Sequence, residues 1–245
     1  MLRFLLRPRW VGLTVFAIAV VTLCARLGLW QLERLEERRM LNERFVQGLA
    51  AAPVPLESLL TAAGPRSYRR TIAVGQYDTE HEVILYGRTL DGRPGNHVLT
   101  PLLLADGRAI IVDRGWVPFE MDTPPVEEAA PPAGTLEVQG PLFPGQPGGA
   151  GSVQPGEDRV TTVRTVDIEA IGRDVPYELV PWFLLLSTQS PEAGGLPVPE
   201  PAPELTEGPH LGYAFQWFSF ATIAAVGYVI LVRREVIEQR SPVAG

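Results

Sequence analysis

No lysine occurs in this chain, and all 21 basic residues are arginine, a bias that goes with abundant Ala, Gly, Pro and Val and with a GC-rich genome. Cysteine is limited to Cys24, which excludes an intramolecular disulfide and any CxxC or CxxxC metal motif. Histidine occurs at His81, His97 and His210 only, and the sequence contains no GxSxG elbow, no HExxH and no P-loop. Basic surface is scarce where a nucleic-acid binder would need it. Between residues 36 and 209 there are 13 Arg against 25 acids, a net charge of −12. A domain without disulfides must be held by its core, and the roughly 175 residues of the middle are enough to supply one.

Apolar sequence is plentiful at the two ends. Residues 10–30 are apolar except for Thr14, Thr22 and Arg26, and residues 213–232 carry no formal charge. About 20 helical residues cross a ~30 Å hydrocarbon layer, so both runs predict membrane spans. Trp10, Trp30, Tyr213 and Trp217 fall where interfacial aromatics belong, and Arg26 lies near enough to the end of its run to snorkel. Arg3, Arg7 and Arg9 precede the first run, while Arg233 and Arg234 follow the second. The positive-inside rule then places both termini in the cytoplasm and the middle of the chain outside it. A cleaved signal peptide is the competing reading, but no small-x-small site follows cleanly, and Leu23 is the wrong size to precede a lipoprotein cysteine.

The expected organisation is a cytoplasmic start (1–9), a first span (10–30), a helical extension (31–53), an extracytoplasmic β-rich domain (54–190), a Pro-rich tether (191–209), a second span (210–232) and a cytoplasmic end (233–245). The fold class is membrane α+β, with two transmembrane helices flanking an antiparallel, β-dominated domain. Strand-like runs cover residues 68–77, 82–89, 97–104, 109–113, 135–140, 159–163 and 179–187, separated by turn signals at Gly92, Pro94-Gly95 and Asp106-Gly107. Asp106-Gly107 between two apolar runs predicts a hairpin. Residues 166–171 suit one or two helical turns, and 121–134 and 141–156 read as loops.

Three places carry candidate chemistry. Asp113-Arg114-Gly115-Trp116 follows a strand and reads either as a site in a polar cleft or as an Arg–Asp pair with Trp116 packed over the turn. His81 and His97 read as surface or hydrogen-bonded residues. His210 follows Gly208-Pro209, a helix-start signal with Pro at the first helical position, and so opens the second span. On a 3.6-residue period it shares a stripe with Trp217, Ala221, Ala224 and Tyr228. An imidazole at the rim of an apolar groove suits a flat, iron-bearing ligand, and it equally suits a helix cap at the headgroups. The small residues Ala221, Ala225 and Gly227 would also let another span pack closely.

Three stretches resemble the Surfeit-locus-one family of cytochrome c oxidase assembly proteins, in its bacterial, actinobacterial form. They are Leu27-Gly28-Leu29-Trp30-Gln31-Leu32-Glu33-Arg34; the middle block through Tyr86-Gly87-Arg88, His97-Val98-Leu99-Thr100-Pro101 and Asp113-Arg114-Gly115-Trp116-Val117-Pro118; and His210-Leu211-Gly212-Tyr213-Ala214-Phe215-Gln216-Trp217. The resemblance implies a non-enzymatic role at the cell membrane in maturing the core subunit of an aa3-type oxidase. It implies transient handling of haem a, with His210 as the iron contact and Trp217 beside it, and no copper. Trp30, Gln31, Arg114 and Trp116 match motif positions of undefined role. The implied partners are the oxidase core subunit, haem a synthase, supercomplex subunits and the bilayer, with no nucleic acid. An accessory subunit that stays on the oxidase without touching haem is the alternative, and an enzyme using Asp113 and Arg114 is a third reading.

Overall fold

The computed structural model describes residues 3–61, 67–148, 159–201 and 205–239. The chain forms two compact units, one from Met1–Glu43 with Leu205–Gly245 and one from Arg44–Glu204.

The first unit is a helix hairpin. One continuous helix, α1 (Pro8–Ala50), takes in both the first apolar run and the expected extension. A second, which we label α4 by its order in the chain, spans His210–Glu238. Both are long and apolar enough to cross a membrane, and little of either apolar stretch is buried, so neither is the core helix of a soluble domain. On α1, Trp10, Thr14, Ala17, Val21, Cys24, Gly28, Gln31 and Leu35 form the covered stripe. Alternating steps of four and three residues make this a coiled-coil-like seam. The opposing seam on α4 is His210, Ala214, Trp217, Ala221, Ala224 and Tyr228. The helices run antiparallel. The Thr14 hydroxyl donates to the Trp10 carbonyl and meets the Tyr228 hydroxyl at 2.5 Å, while Gln31 meets His210 at 2.8 Å. Arg39 grips both carboxylate oxygens of Glu207 at 2.9 Å. Gly28 is where the Phe218 ring comes down; a Cβ there would lie 2.8 Å from it.

That seam answers one expectation directly. The stripe of His210, Trp217, Ala221, Ala224 and Tyr228, read as an open groove, is the face that α1 covers. Ala214 and Ala221 are the small residues that let the helices approach, as small residues do between spans. Pro209 is the N-cap and His210 the first helical residue, one position later than the Pro-first start expected.

The second unit is a mixed sheet of nine strands: β1 (Val54–Pro55), β2 (Arg70–Tyr77), β3 (Val83–Leu90), β4 (Arg93–Leu104), β5 (Ala109–Pro118), β6 (Thr135–Pro144), β7 (Thr162–Val163), β8 (Leu179–Leu185) and β9 (Thr188–Ser190). Two short helices, α2 (Leu56–Thr61) and α3 (Ile168–Gly172), accompany it. Strand β4 pairs with β5 along one edge; on the other it pairs first with β3 and then, at Leu102–Leu104, with β2. Because β2 also pairs with β6, β6 with β8 and β8 with β5, those five strands close on themselves as a small barrel. Most pairings are antiparallel, as expected, but β5–β8, β1–β2 and β3–β7 are parallel, so the sheet is mixed.

Alternation along β5 separates two cores. Ile110 and Val112 join Tyr77, Leu102, Leu104, Leu136, Val138, Leu142 and Leu184 in one, and Ile111 joins Leu85, Leu99, Ile171 and Phe183 in the other. A strand covered on both faces reads as a continuous apolar run, as β5 does.

The Asp106-Gly107 hairpin forms as expected, with Gly107 at φ +85° and the Asp106 carboxylate accepting from the Arg108 amide at 3.0 Å. Pro94-Gly95 is not a turn. The chain reverses at Asp91-Gly92, both at positive φ, and Pro94 lies inside β4. Its missing N–H leaves no ladder bond unmade, because pairing with β5 starts one residue later, at Gly95. Residues 141–144, expected in a loop, extend β6 against β8, and 149–156 of that loop lie outside the described residues. At Gly140, β6 passes close to β8, and a Cβ there would collide with the Leu185 carbonyl oxygen. Backbone cannot yield as a side chain can, so Gly140→Ala is expected to cost about 1–3 kcal/mol. A lower urea midpoint with an unchanged slope would report it.

Candidate functional site

The polar residues of the β unit gather on β4 and β5, next to a bulge. Pairing runs His97↔Trp116 and then Leu99↔Asp113, so β5 carries one extra residue at Arg114-Gly115. Gly115 sits at φ +117°, and its Cα lies against the Val198 carbonyl, where a side chain would not fit. Asp113 and Arg114, neighbours on a strand, therefore face opposite sides, and the expected Asp113–Arg114 pair does not form.

Arg114 turns to the barrel interior and is almost fully buried. It donates to Glu82 Oε2 at 3.3 Å and to the Ala129 carbonyl at 2.5 Å, and lies over the Tyr77 ring at 5.2 Å. Glu82, equally buried, also accepts from Thr100 Oγ1 at 3.0 Å and from the Val126 amide at 2.8 Å. Burial pushes the Glu82 carboxyl up, although Val126, Arg114 and Thr100 oppose it. Burial likewise lowers Arg114, but a guanidinium stays charged at any pH a folded protein meets. Arg114 also lines a cavity of about 210 Å³ between Leu186–Gln189 and Glu192–Pro199, and its Nε has no hydrogen-bond partner among the described residues.

Asp113 turns to the other face. Its Oδ2 accepts from His97 Nδ1 at 2.9 Å, and its Oδ1 from the Gly115 amide at 3.1 Å. The Nε2 of His97 faces Glu200 Oε1 at 3.2 Å. Burial works against a charge on His97, yet Asp113 and Glu200 together raise it above the ordinary histidine value. His97 is thus hydrogen-bonded and buried, not a surface residue. Trp116 is also buried, with the Arg93 guanidinium 5.4 Å over its ring, and its backbone exchanges two hydrogen bonds with Val198 at 2.8 and 2.9 Å. The Pro-rich segment is consequently docked at Leu196–Glu200 and is not a free tether along its whole length. Glu82, Thr100 and Glu200 were not singled out from sequence. The signal for Glu82 was a lone acid at the head of the apolar run Val83-Ile84-Leu85.

In the helical unit, Gln31 and His210 meet where α4 begins. Gln31 is buried and His210 half-buried. The atom facing His210 Nδ1 is the Gln31 carbonyl oxygen, an acceptor only, so Nδ1 carries the proton and donates. The lone pair is then left on Nε2, which lies on the Gly208 side of the ring and makes no hydrogen bond among the described residues. On a different face of α4, Pro209, Gly212, Tyr213, Phe215, Gln216 and Ser219 line a shallow, mostly apolar depression of about 510 Å³ that His210 does not line. Trp217 stands edge-on to Phe220, with ring centroids 5.9 Å apart. Trp30 is exposed, with Arg34 over its ring at 5.7 Å. A single imidazole, held through its far nitrogen, could serve as the axial donor to a haem iron. Among the described residues no group of three His, Cys, Asp or Glu is placed to hold a bare metal ion.

Comparison with known proteins agrees over the whole length. A SURF1-like protein of Mycobacterium tuberculosis is 31% identical across all of this chain and 91% of its own length, and one from Mycobacterium bovis matches equally. A SURF1-like protein of Rickettsia felis is 25% identical, over 88% of this chain and 94% of its own length. The SURF1 family profile matches residues 18–222, from within the first apolar run to within the second, and the chain belongs to the SURF1 family.

Proposed function

We propose that this protein serves the assembly of cytochrome c oxidase, the process with which the SURF1 family is associated, by receiving haem a at the outer membrane face and passing it to the core subunit of an aa3-type enzyme. Both helices cross the cell membrane with their termini in the cytoplasm, an orientation supported by Arg7 and Arg9 before one span and Arg233 and Arg234 after the other. The exposed apolar side chains of each helix, such as Phe16, Leu23, Phe215 and Ile223, then face lipid. Haem a synthase and supercomplex subunits are neighbours on this route.

The observation that carries the reading is the Gln31–His210 hydrogen bond, which holds the imidazole with its Nε2 lone pair free. Iron held there would gain one axial ligand, and the exposed apolar side chains near the start of α4, such as Leu211 and Phe215, would offer a macrocycle apolar surface. No covalent step is required of the protein. Handover requires modest affinity, because a tightly held cargo is not released.

Purification of the intact protein from cells that make haem a tests this. An a-type absorption spectrum at substoichiometric occupancy, with the oxidase core subunit copurifying in small amount, is the expected result. Stoichiometric copurification with active oxidase and no bound haem would instead identify an accessory subunit.

A further inference from the structure

The segment Leu196–Glu200 follows the last strand of the sheet in the sequence, and three independent contacts hold it against the sheet. Val198 exchanges two backbone hydrogen bonds with Trp116; the Val198 carbonyl sits on the side-chain-free face of Gly115; and Glu200 reaches His97. The first two have no dependence on protonation. The third does.

We propose that His97 is a protonation-dependent latch that fastens the strap Leu196–Glu200 across β5. The argument is one of donors and acceptors. His97 sits between two carboxylates, with Nδ1 at 2.9 Å from Asp113 and Nε2 at 3.2 Å from Glu200. A neutral imidazole has a single N–H, so it satisfies one carboxylate and turns a lone pair on the other. Only the imidazolium can donate to Asp113 and also present positive charge to Glu200, whose 3.2 Å approach to Nε2 is an ion-pair contact without hydrogen-bond alignment. Asp113 is the partner that stays. It is buried on a strand inside the sheet, and its second oxygen is fixed by the Gly115 amide. Glu200 is the one that leaves, since it is on the strap and its side chain retains 23% exposure.

The other charged groups nearby are otherwise engaged. Arg93, on the same strand as His97, stacks over Trp116, and Arg114 and Glu82 pair with each other toward the barrel interior. The raised protonation of His97 fits this arrangement. The sign follows. A group whose folded value is raised contributes stability that is complete below its unfolded value, near 6.5, and is lost as pH rises through the folded value. The strap is therefore fastened in mildly acidic medium and loosened in alkaline medium.

Hydrogen exchange of the Val198 amide, measured on the full chain in nanodiscs and corrected for the intrinsic pH dependence of exchange, reads the latch. Protection at Val198 is expected to fall severalfold between about pH 6 and about pH 9 as the imidazolium's contact with Glu200 is lost. In Glu200→Gln the carboxamide can donate to neutral His97, and the pH dependence disappears while the domain stays folded. Amides of the β2–β6 ladder, such as Ile72 and Val138, stay protected throughout. Three results would overturn the latch: equal wild-type protection at both pH values, an undiminished fall in Glu200→Gln, or a parallel fall in the β2–β6 ladder.

Discussion

Arg114→Ala is expected to remove about 3–5 kcal/mol from the β unit, the usual cost of stripping one partner from a buried ion pair. The structure makes this the most expensive single truncation at the site. Glu82 would keep two donors, Thr100 and Val126, but lose the one cation paired with it among the described residues. The Ala129 carbonyl loses its donor, and the Tyr77 ring its stacked guanidinium. Against a total of about 5–15 kcal/mol for a domain, that is a large fraction of the whole. Urea unfolding followed by tryptophan fluorescence would show it, Trp116 and Trp182 both lying in this unit. The loss is also pH-dependent. With the cation gone, the Glu82 carboxyl, already pushed up by burial, rises further and takes a proton in place of its partner. A raised carboxyl contributes stability that is present at low pH and lost as pH rises through its folded value, so the variant is least damaged in acid. The double variant Glu82→Leu/Arg114→Met is expected to be more stable than either single change, because an apolar filling leaves no uncompensated charge. A single variant within 1 kcal/mol of the wild type would remove the pair from the list of what holds the barrel closed.

How much of this could be seen in the sequence follows from how local each feature is. The two apolar helices depend on composition within 20 residues and were legible as such. The Asp106-Gly107 hairpin is set by four residues and was also legible. Pro94-Gly95 misled because proline and glycine mark turns only on average, and a proline at the unpaired end of a ladder costs nothing. The closure of the barrel rests on β2 pairing with β4 and on β5 lying parallel to β8, contacts between distant parts of the chain that no local pattern encodes. Asp113 and Arg114 looked like partners because they adjoin, whereas a strand turns adjacent side chains apart. Their true partners, His97 and Glu82, are 16 and 32 residues away. The stripe on α4 was periodic as expected, but a period identifies a covered face without saying what covers it. Gln31 was visible as part of a motif; only the antiparallel pairing of α1 with α4 brings it to His210 and gives it a task.

That task separates two variants that a simple anchor would treat alike. His210→Ala deletes the imidazole and is expected to abolish haem binding by the purified protein and to lower the a-type signal in reduced-minus-oxidised spectra of membranes. Gln31→Leu leaves the imidazole but takes away the acceptor that fixes its proton on Nδ1. The ring then populates both tautomers, and one of them carries its proton on Nε2, the nitrogen that would bind iron in the proposed role. Loss of such an outer partner typically lowers metal affinity about 10–100-fold. Gln31→Glu, which keeps an acceptor oxygen in place, is expected to retain or strengthen binding. Nitrogen-15 NMR of histidine-labelled protein in nanodiscs, without haem, reads the tautomer on its own. A protonated Nδ1 at His210 in the wild type and a mixture in Gln31→Leu is the expected pair of spectra. If the spectra behave so but wild-type protein takes up no haem, the hydrogen bond orders the helix junction and the cargo role falls. If the tautomer is indifferent to Gln31, positioning by this residue is wrong even where His210 still binds. Normal a-type haem in His210→Ala at normal protein level would leave the helix hairpin as a scaffold for the oxidase, with its imidazole serving only to join α4 to α1.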